Sequence, residues 1–275
     1  MSGKSKNRII QIFSLLLLFI FLGVVIFRKF FSSNYKTFST NKNIDYNDLF
    51  DNVWVINLDR DIDRWNTTNN RLKQINITPK RWKAIDAKME NVKCMYENHQ
   101  KSNLLNKLVY KTPKNKFNFF RNFFEVTQSE LACLLSHITL WEHLYENKVP
   151  YAIIFEDDII FSDTLIKQEI VDTIEKYKNA DIIFLGYCFS WYYDMFPLKK
   201  DKPGKALCGH AYVITYQALH KLLTKHIKIN KLDKLTYQFC DKNQCILTKN
   251  KKVSGGSYGA GLFHQDRKQF GSHLR

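Results

Sequence analysis

Between Tyr151 and Phe161 the chain reads YAIIFEDDIIF, so three consecutive carboxylates, Glu156, Asp157 and Asp158, interrupt an otherwise apolar stretch. A carboxylate loses several kcal/mol or more in apolar surroundings unless it is paired, protonated or bound to a cation. The preceding apolar residues read as a buried strand. The acids therefore fall where that strand leaves the sheet, which is the ligand end of an open α/β sheet. Oxygen ligands of this kind suit Mg²⁺ or Mn²⁺. The competing reading is a solvated strand-to-loop turn, with Asp158 capping the next element.

The flanking pattern places that strand in a layered domain. Val53–Ile56 reads as a buried strand, and Ile62, Trp65, Leu72 and Ile75 mark a helix that Pro79 would end. Residues 81–86 read as a short second strand running into a loop. Thr127-Gln-Ser-Glu130 has the form of a capping box, followed by Leu131, Leu134, Leu135, Ile138, Trp141 and Leu144 at helical spacing. After the acidic strand come a helix around 165–177, a strand over 181–186, a further strand over 211–215 and a helix from Tyr216. Strands alternating with helices predict an α/β domain whose mainly parallel sheet is covered on both faces. Residues 88–124 are the least regular part and read as a loop or small insertion. The glycine-rich stretch 254–261 fits neither the Rossmann nor the P-loop pattern.

The amino-terminal part differs in kind. Ile9 to Phe27 carries no charge and is framed by Lys4, Lys6, Arg8 and by Arg28, Lys29, about the length that crosses a bilayer. The organisation expected is a short cytosolic tail over 1–8, an uncleaved transmembrane anchor over 9–27, a polar stalk over 28–48 and a folded domain over 49–275. A short leading tail favours a single-pass, type II orientation with the domain in a secretory lumen or outside the cell, although Lys and Arg flank both sides of the anchor.

The formal charge of +16 invites a nucleic-acid reading. Seven of those charges precede Asp45 with no acid among them, and +16 less seven leaves +9 for the remainder. No zinc-finger spacing, basic helix or RNA-binding aromatic signature accompanies it, so no nucleic-acid partner is expected. The run from Lys93 to Arg121 would be a solvated face, or would attract phosphate-bearing substrates or an anionic membrane. Six cysteines permit disulfides: Cys240 with Cys245 is close enough to bridge, and Cys188 with Cys208 is a second possibility. Asn66-Thr-Thr68 and Asn76-Ile-Thr78 are glycosylation sequons that matter only in a lumenal domain.

Six segments in order resemble the glycosyltransferase family 25 domain, the group of lipooligosaccharide and procollagen galactosyltransferases. They are Val53–Arg60 with Arg64-Trp65, Lys83-Ala-Ile-Asp86, Ser129–His137 with Trp141, the Glu-Asp-Asp strand, Gly209–Ile214 and Gln265 through Ser272. The resemblance runs from about Asn52 to the end. It implies a GT-A-like fold that binds a UDP-sugar through Mn²⁺ or Mg²⁺ and transfers galactose or a related hexose with inversion. The acceptor would be a glycan, a lipid-linked sugar or a protein hydroxyl such as hydroxylysine. A catalytically inactive member acting as an adhesion or sugar-binding module is the alternative.

On that resemblance Asp158 is the best metal ligand and Glu156 contacts metal or nucleotide, with Asp157 beside the donor and His264 a third ligand whose place Gln265 or Asp266 could take. Asn57, Arg60 and Arg64 stand at the first strand end, where they can bind base, ribose or phosphate. The two arginines can equally pair with Asp59, Asp61 or Asp63. Asp86 would bind ribose hydroxyls or close a turn. His137 either lines the cleft or is a hydrogen-bonded core residue. Inversion needs a base for the acceptor hydroxyl, and Asp233 falls where family members carry an acid; a helix cap is its other reading.

Overall fold

The first strand, β1 (Val53–Asn57), is apolar on both sides, and a parallel strand of that kind must be covered on both faces. The computed structural model, which describes residues 49–88, 92, 127–162, 165–188, 198–224, 232, 236, 239–240, 243–251, 253 and 259–270, shows how that cover is built. From β1 the chain runs through helix α1 (Ile62–Gln74) to β2 (Lys80–Lys83). Helix α2 (Gln128–Glu146) leads into β3 (Tyr151–Glu156), then β4 (Ile159–Ile160), helix α3 (Ile166–Lys176) and β5 (Ile182–Cys188). Strands β6 (Lys202–Pro203) and β7 (Leu207–Thr215), helix α4 (Tyr216–Thr224) and β8 (Cys245–Leu247) come next. Short strands β9 (Ala260–Gly261) and β10 (His264–Gln265) and helix α5 (Arg267–Phe270) close the described chain.

The main sheet has the order β2-β1-β3-β7-β5-β8-β6, with β9 paired to β5; β10 and β4 form a separate two-stranded ladder. Pairing is parallel for β1–β2, β1–β3 and β5–β8. It is antiparallel where β7 enters between β3 and β5. Parallel neighbours need a long crossover, whereas a strand returning directly from its predecessor pairs antiparallel. The expected mainly parallel sheet is therefore a mixed one, flanked by helices and consistent with a GT-A-like fold.

Alternation along each strand sends residues to two cores. Val53, Val55, Ile153, Phe155, Ile183 and Val213 pack with Leu72 of α1 and with Ile166, Ile170 and Ile174 of α3. On the other face Ile154, Phe184, Tyr212 and Ile214 pack with α2 and α4 through Leu134, Leu135, Ile138, Trp141, Leu219 and Leu222. Fully burying one such side chain stabilises by roughly 1.5–3 kcal/mol, so the two layers fix the sheet without help from its polar rim.

Helix ends obey local chemistry. At α2 the capping box forms as read: Glu130 N–H donates to Thr127 Oγ1 at 3.1 Å, and Thr127 N–H donates to Glu130 at 2.9 Å. At α1 the helix stops at Gln74, before Pro79, because Asn76 takes a left-handed φ of 57° and turns the chain. Cys240 and Cys245 are bridged. Cys188 is a buried thiol instead of half of a second bridge.

Among the described residues no helix is long and apolar enough to cross a membrane. The anchor read at 9–27, the stalk and Asp233 lie outside the described residues.

Candidate active site

Strand order reverses between β1 and β3: the chain leaves β1 toward β2 on one side and comes back to β3 on the other. In open α/β sheets the crevice at the carboxyl ends of such a strand pair is where ligands bind. Parallel register sets Ile56 opposite Glu156, so Asn57 and the acidic run share that edge.

The acids find a protein cation. Arg64, 7% exposed, reaches from the first turns of α1 and lies 2.8 Å from Asp157 Oδ1 and 3.1 Å from Asp158 Oδ2. Asn57 Nδ2 donates to Asp157 Oδ2 at 2.7 Å and to the Asp61 carbonyl at 3.0 Å. One turn along α1, Thr68 Oγ1 donates to the Asp157 carbonyl at 2.7 Å. Arg64, Thr68 and Leu72 are the buried residues of this helix. Spacing of four residues puts them on one stripe, polar over the acidic turn and apolar below it.

Charge remains uncompensated. Burial, opposed by Arg64 and Asn57, pushes the Asp157 carboxyl up to about 6. Burial and the neighbouring Glu156 push Asp158 to about 7, again against the pull of Arg64. Asp158 Oδ1 is buried and makes no hydrogen bond. Glu156 behaves differently: burial works against its ionisation, yet His137, His210 and Arg64 hold it below its ordinary value.

Glu156 is also oriented from two sides. Gln265 Nε2 donates to its Oε2 at 3.2 Å, and His137 Nε2 is 3.8 Å from its Oε1. Gln265 is placed by the β4–β10 ladder, in which it lies opposite Ile159, and Arg267 donates to its side-chain Oε1 at 3.1 Å. Behind that ladder Arg71 donates to the Ile159 carbonyl at 3.0 Å and pairs with Asp266 at 2.6 Å, while Asp266 N–H donates to the Asp158 carbonyl at 2.7 Å. His137 is 1% exposed, with Nδ1 2.7 Å from the Tyr212 hydroxyl. It is thus a hydrogen-bonded core residue whose other nitrogen faces the crevice.

The remaining candidates from the sequence take other places. Arg60 and Asp86 meet each other at the rim, Arg60 donating through a guanidinium nitrogen to Asp86 Oδ2. Burial raises the Asp86 carboxyl, but Lys88 N–H and Arg60 more than offset it and leave it lowered. Arg64 pairs with Asp157 and Asp158 in place of its sequence neighbours Asp59 or Asp63. Asp59 is held by Arg81 at 2.9 Å and Lys83 at 3.0 Å instead. His264 is buried on β10, where desolvation and His210 lower it to about 4, so it is a neutral imidazole at pH 7. Among the described residues, the Cys, His, Asp and Glu side chains whose ligand atoms gather within 4.8 Å of one another are Cys133, His137 and Glu156; Asp158 and His264 join no such group.

Several contributors escape a sequence reading. Arg81 Nε donates to Asn57 Oδ1 at 2.8 Å, fixing which way the amide points. Arg71 and Tyr212 act through contacts distant in sequence, and Gln265, named from the sequence as an alternative ligand, donates to Glu156. Only the 64–68–71 polar spacing inside an amphipathic helix carries a local signal for them.

Fold and crevice together define an open α/β domain with an acidic, cation-attracting strand end at its topological switch point. Residues 50–204 match the family described as glycosyltransferase family 25 (LPS biosynthesis protein), and the chain belongs to that family. It is 32% identical over 117 residues to the lipooligosaccharide biosynthesis protein lic2B of Haemophilus influenzae, a match covering 38% of this chain and 43% of that protein. The "procollagen lysyl hydroxylase and glycosyltransferase" of Acanthamoeba polyphaga mimivirus is 28% identical over 107 residues, 36% of this chain and 12% of that one. A "probable inactive glycosyltransferase 25 family member 3" of Rattus norvegicus is 30% identical over 64 residues, covering 22% and 11%. The matches span less than half the length of each of these relatives.

Proposed function

We propose that this protein is a membrane-anchored, cation-dependent glycosyltransferase that moves a hexose, galactose first among them, from a UDP-sugar to a hydroxyl acceptor with inversion. The observation that carries the reading is the β1–β3 switch-point crevice, where three consecutive carboxylates follow the end of β3 and Asp158 Oδ1 is left without a hydrogen bond. Arg64 brings one positive charge to Asp157 and Asp158, which leaves this strand end with negative charge in excess. Carboxylate oxygens of this kind fit Mn²⁺ or Mg²⁺. Asp158 and Glu156 would hold the ion, with His264 the further candidate. When bound, such a cation stabilises, as a Lewis acid, the charge that gathers on a departing diphosphate.

The chain's own groups set the stage for that chemistry. Arg64, Asn57 and Thr68 hold the Asp157-Asp158 turn in place before donor arrives. Gln265 and His137 aim Glu156. At the rim, Arg60 is 36% exposed and can turn from Asp86 to a phosphate, freeing Asp86 for ribose hydroxyls. Asp233 is proposed as the base that takes the acceptor proton on the face opposite the leaving UDP. The acceptor proposed is a glycan, lipid-linked sugar or protein hydroxyl, reached with the domain lumenal or extracytoplasmic and residues 9–27 in the membrane.

A screen of UDP-sugars by UDP release tests the proposal. Full-length protein in detergent should release UDP from UDP-galactose with Mn²⁺ and stop in EDTA. Inactivity on every UDP-sugar by folded protein, with or without acceptor hydroxyls, would sink it. One observation favours the second reading, a sugar-binding or adhesion module without catalysis: Arg64 already occupies both aspartates, and a relative carries an inactive designation. That module would hold its glycan partner unchanged in Asp158→Ala and show no affinity for UDP.

A further inference from the structure

On α2, Cys133 and His137 stand one helical turn apart, and both face the end of β3 where Glu156 leaves the sheet. Their sulfur, imidazole nitrogen and carboxylate oxygen lie within 4.8 Å of one another. His137 is 1% exposed, and its Nε2, buried against Glu156, makes no hydrogen bond. Its other nitrogen is tied to the Tyr212 hydroxyl at 2.7 Å, and that hydroxyl accepts from Trp141 Nε1 at 2.9 Å. A ring nitrogen anchored from behind, with the opposite one unsatisfied, is the arrangement that orients a metal-binding histidine.

We propose that Cys133 Sγ, His137 Nε2 and Glu156 form a binding site for a borderline-soft divalent ion of the zinc class. Thiolate and imidazole select such ions, whereas the oxygen-only set around Asp158 suits Mn²⁺ or Mg²⁺. Zinc–ligand bonds of about 2.0–2.3 Å place tetrahedral ligand atoms about 3.5 Å apart. Cys133 and Glu156 are both only partly buried, and small movements of those two side chains close the site. Binding releases the thiol proton to solvent, and three protein ligands leave the fourth position to water. Burial raises the Tyr212 hydroxyl well above its ordinary value, so it stays a phenol that can accept or donate toward His137 Nδ1 as the tautomer requires.

A consequence resting on the proposed function is inhibition. Glu156 drawn toward Cys133 is withdrawn from Gln265 and from the donor side of the crevice. Zinc would then lower transfer at concentrations where Mn²⁺ supports it, while leaving the fold intact.

The test does not depend on activity. Full-length protein with the Cys240–Cys245 bridge intact is titrated with Co²⁺ and read by the thiolate-to-cobalt charge-transfer band. One equivalent should saturate the band, Zn²⁺ should displace it, Cys133→Ser should abolish it, and Glu156→Gln should weaken affinity tenfold or more. In parallel, Zn²⁺ should slow iodoacetamide alkylation of Cys133 in the unmodified chain at least tenfold, as read by peptide mass. A band that persists in Cys133→Ser, or Cys133 alkylation indifferent to Zn²⁺, overturns the site whether or not the protein transfers sugar.

Discussion

The Arg64 guanidinium lies 3.1 Å from Asp158 Oδ2, and both residues are more than nine-tenths buried. One nitrogen of that guanidinium also meets Asp157 at 2.8 Å, so the acidic turn is built around an internal cation before any ligand arrives. Removing one partner of a buried pair strands the other charge, which costs about 3–5 kcal/mol. Arg64→Ala should therefore lose about that much stability, read from the urea midpoint, and Arg64→Ala with Asp157→Asn should recover part of the loss. A fall below ~1 kcal/mol would mean that the pair is not what holds the turn.

Glu142, on the half-buried side of α2, gives a pH dependence of known sign. Burial, with Glu146 one turn away, raises its carboxyl from 4.5 to about 7. Between those values the folded state holds more protons than the unfolded one, so this group's stabilising contribution is full below about 4.5 and is lost as pH rises through 7. Asp157 and Asp158 are raised as well and slope the same way. The measurement is the difference between unmodified protein and Glu142→Gln: the variant should gain relative stability from pH 5 to pH 8 in chemical denaturation. A flat difference curve would refute the assignment.

Gly186 on β5 leaves room for His210. A methyl group there would stand 2.5 Å from the Phe263 carbonyl oxygen and closer still to His210 Nε2. His210 meets that same carbonyl at 3.0 Å, so the strain would pass directly to the segment leading into β10. Gly186→Ala should cost about 1–3 kcal/mol, as overpacking does, and should lower the melting temperature measured by circular dichroism. An unchanged melting temperature would show that the 262–264 segment yields freely.

Much of the fold was legible because its signals are local. Thr127 and Glu130 announce the start of α2, and the short, β-branched-rich apolar run before Glu156 reads as a strand covered on both faces. The chemistry of the acidic run was equally open to reading: carboxylates set in an apolar stretch demand positive charge. Which charge answers was not legible, since Asp59, Asp61 and Asp63 are the acids nearest to Arg64 in sequence, whereas its partners come from a strand aligned only by sheet assembly. The same reason hid Arg71 with Asp266 and Gln265 with Glu156, contacts made by the β4–β10 ladder. The direction of β7 was not legible, because apolar periodicity is identical in parallel and antiparallel neighbours. Asn76 ended α1 ahead of Pro79 because a left-handed residue stops a helix as firmly as proline.

Central to the proposed function is a nucleotide held through a divalent ion at the Asp158 end of β3. Calorimetric titration of UDP into the full-length protein, with Mn²⁺ and then with EDTA, tests it most directly when Asp158→Asn is run beside it. The prediction is binding in Mn²⁺ that weakens tenfold or more in EDTA and to the same degree in Asp158→Asn, with the far-ultraviolet spectrum unchanged. UDP affinity indifferent to both Mn²⁺ and Asp158 would contradict it.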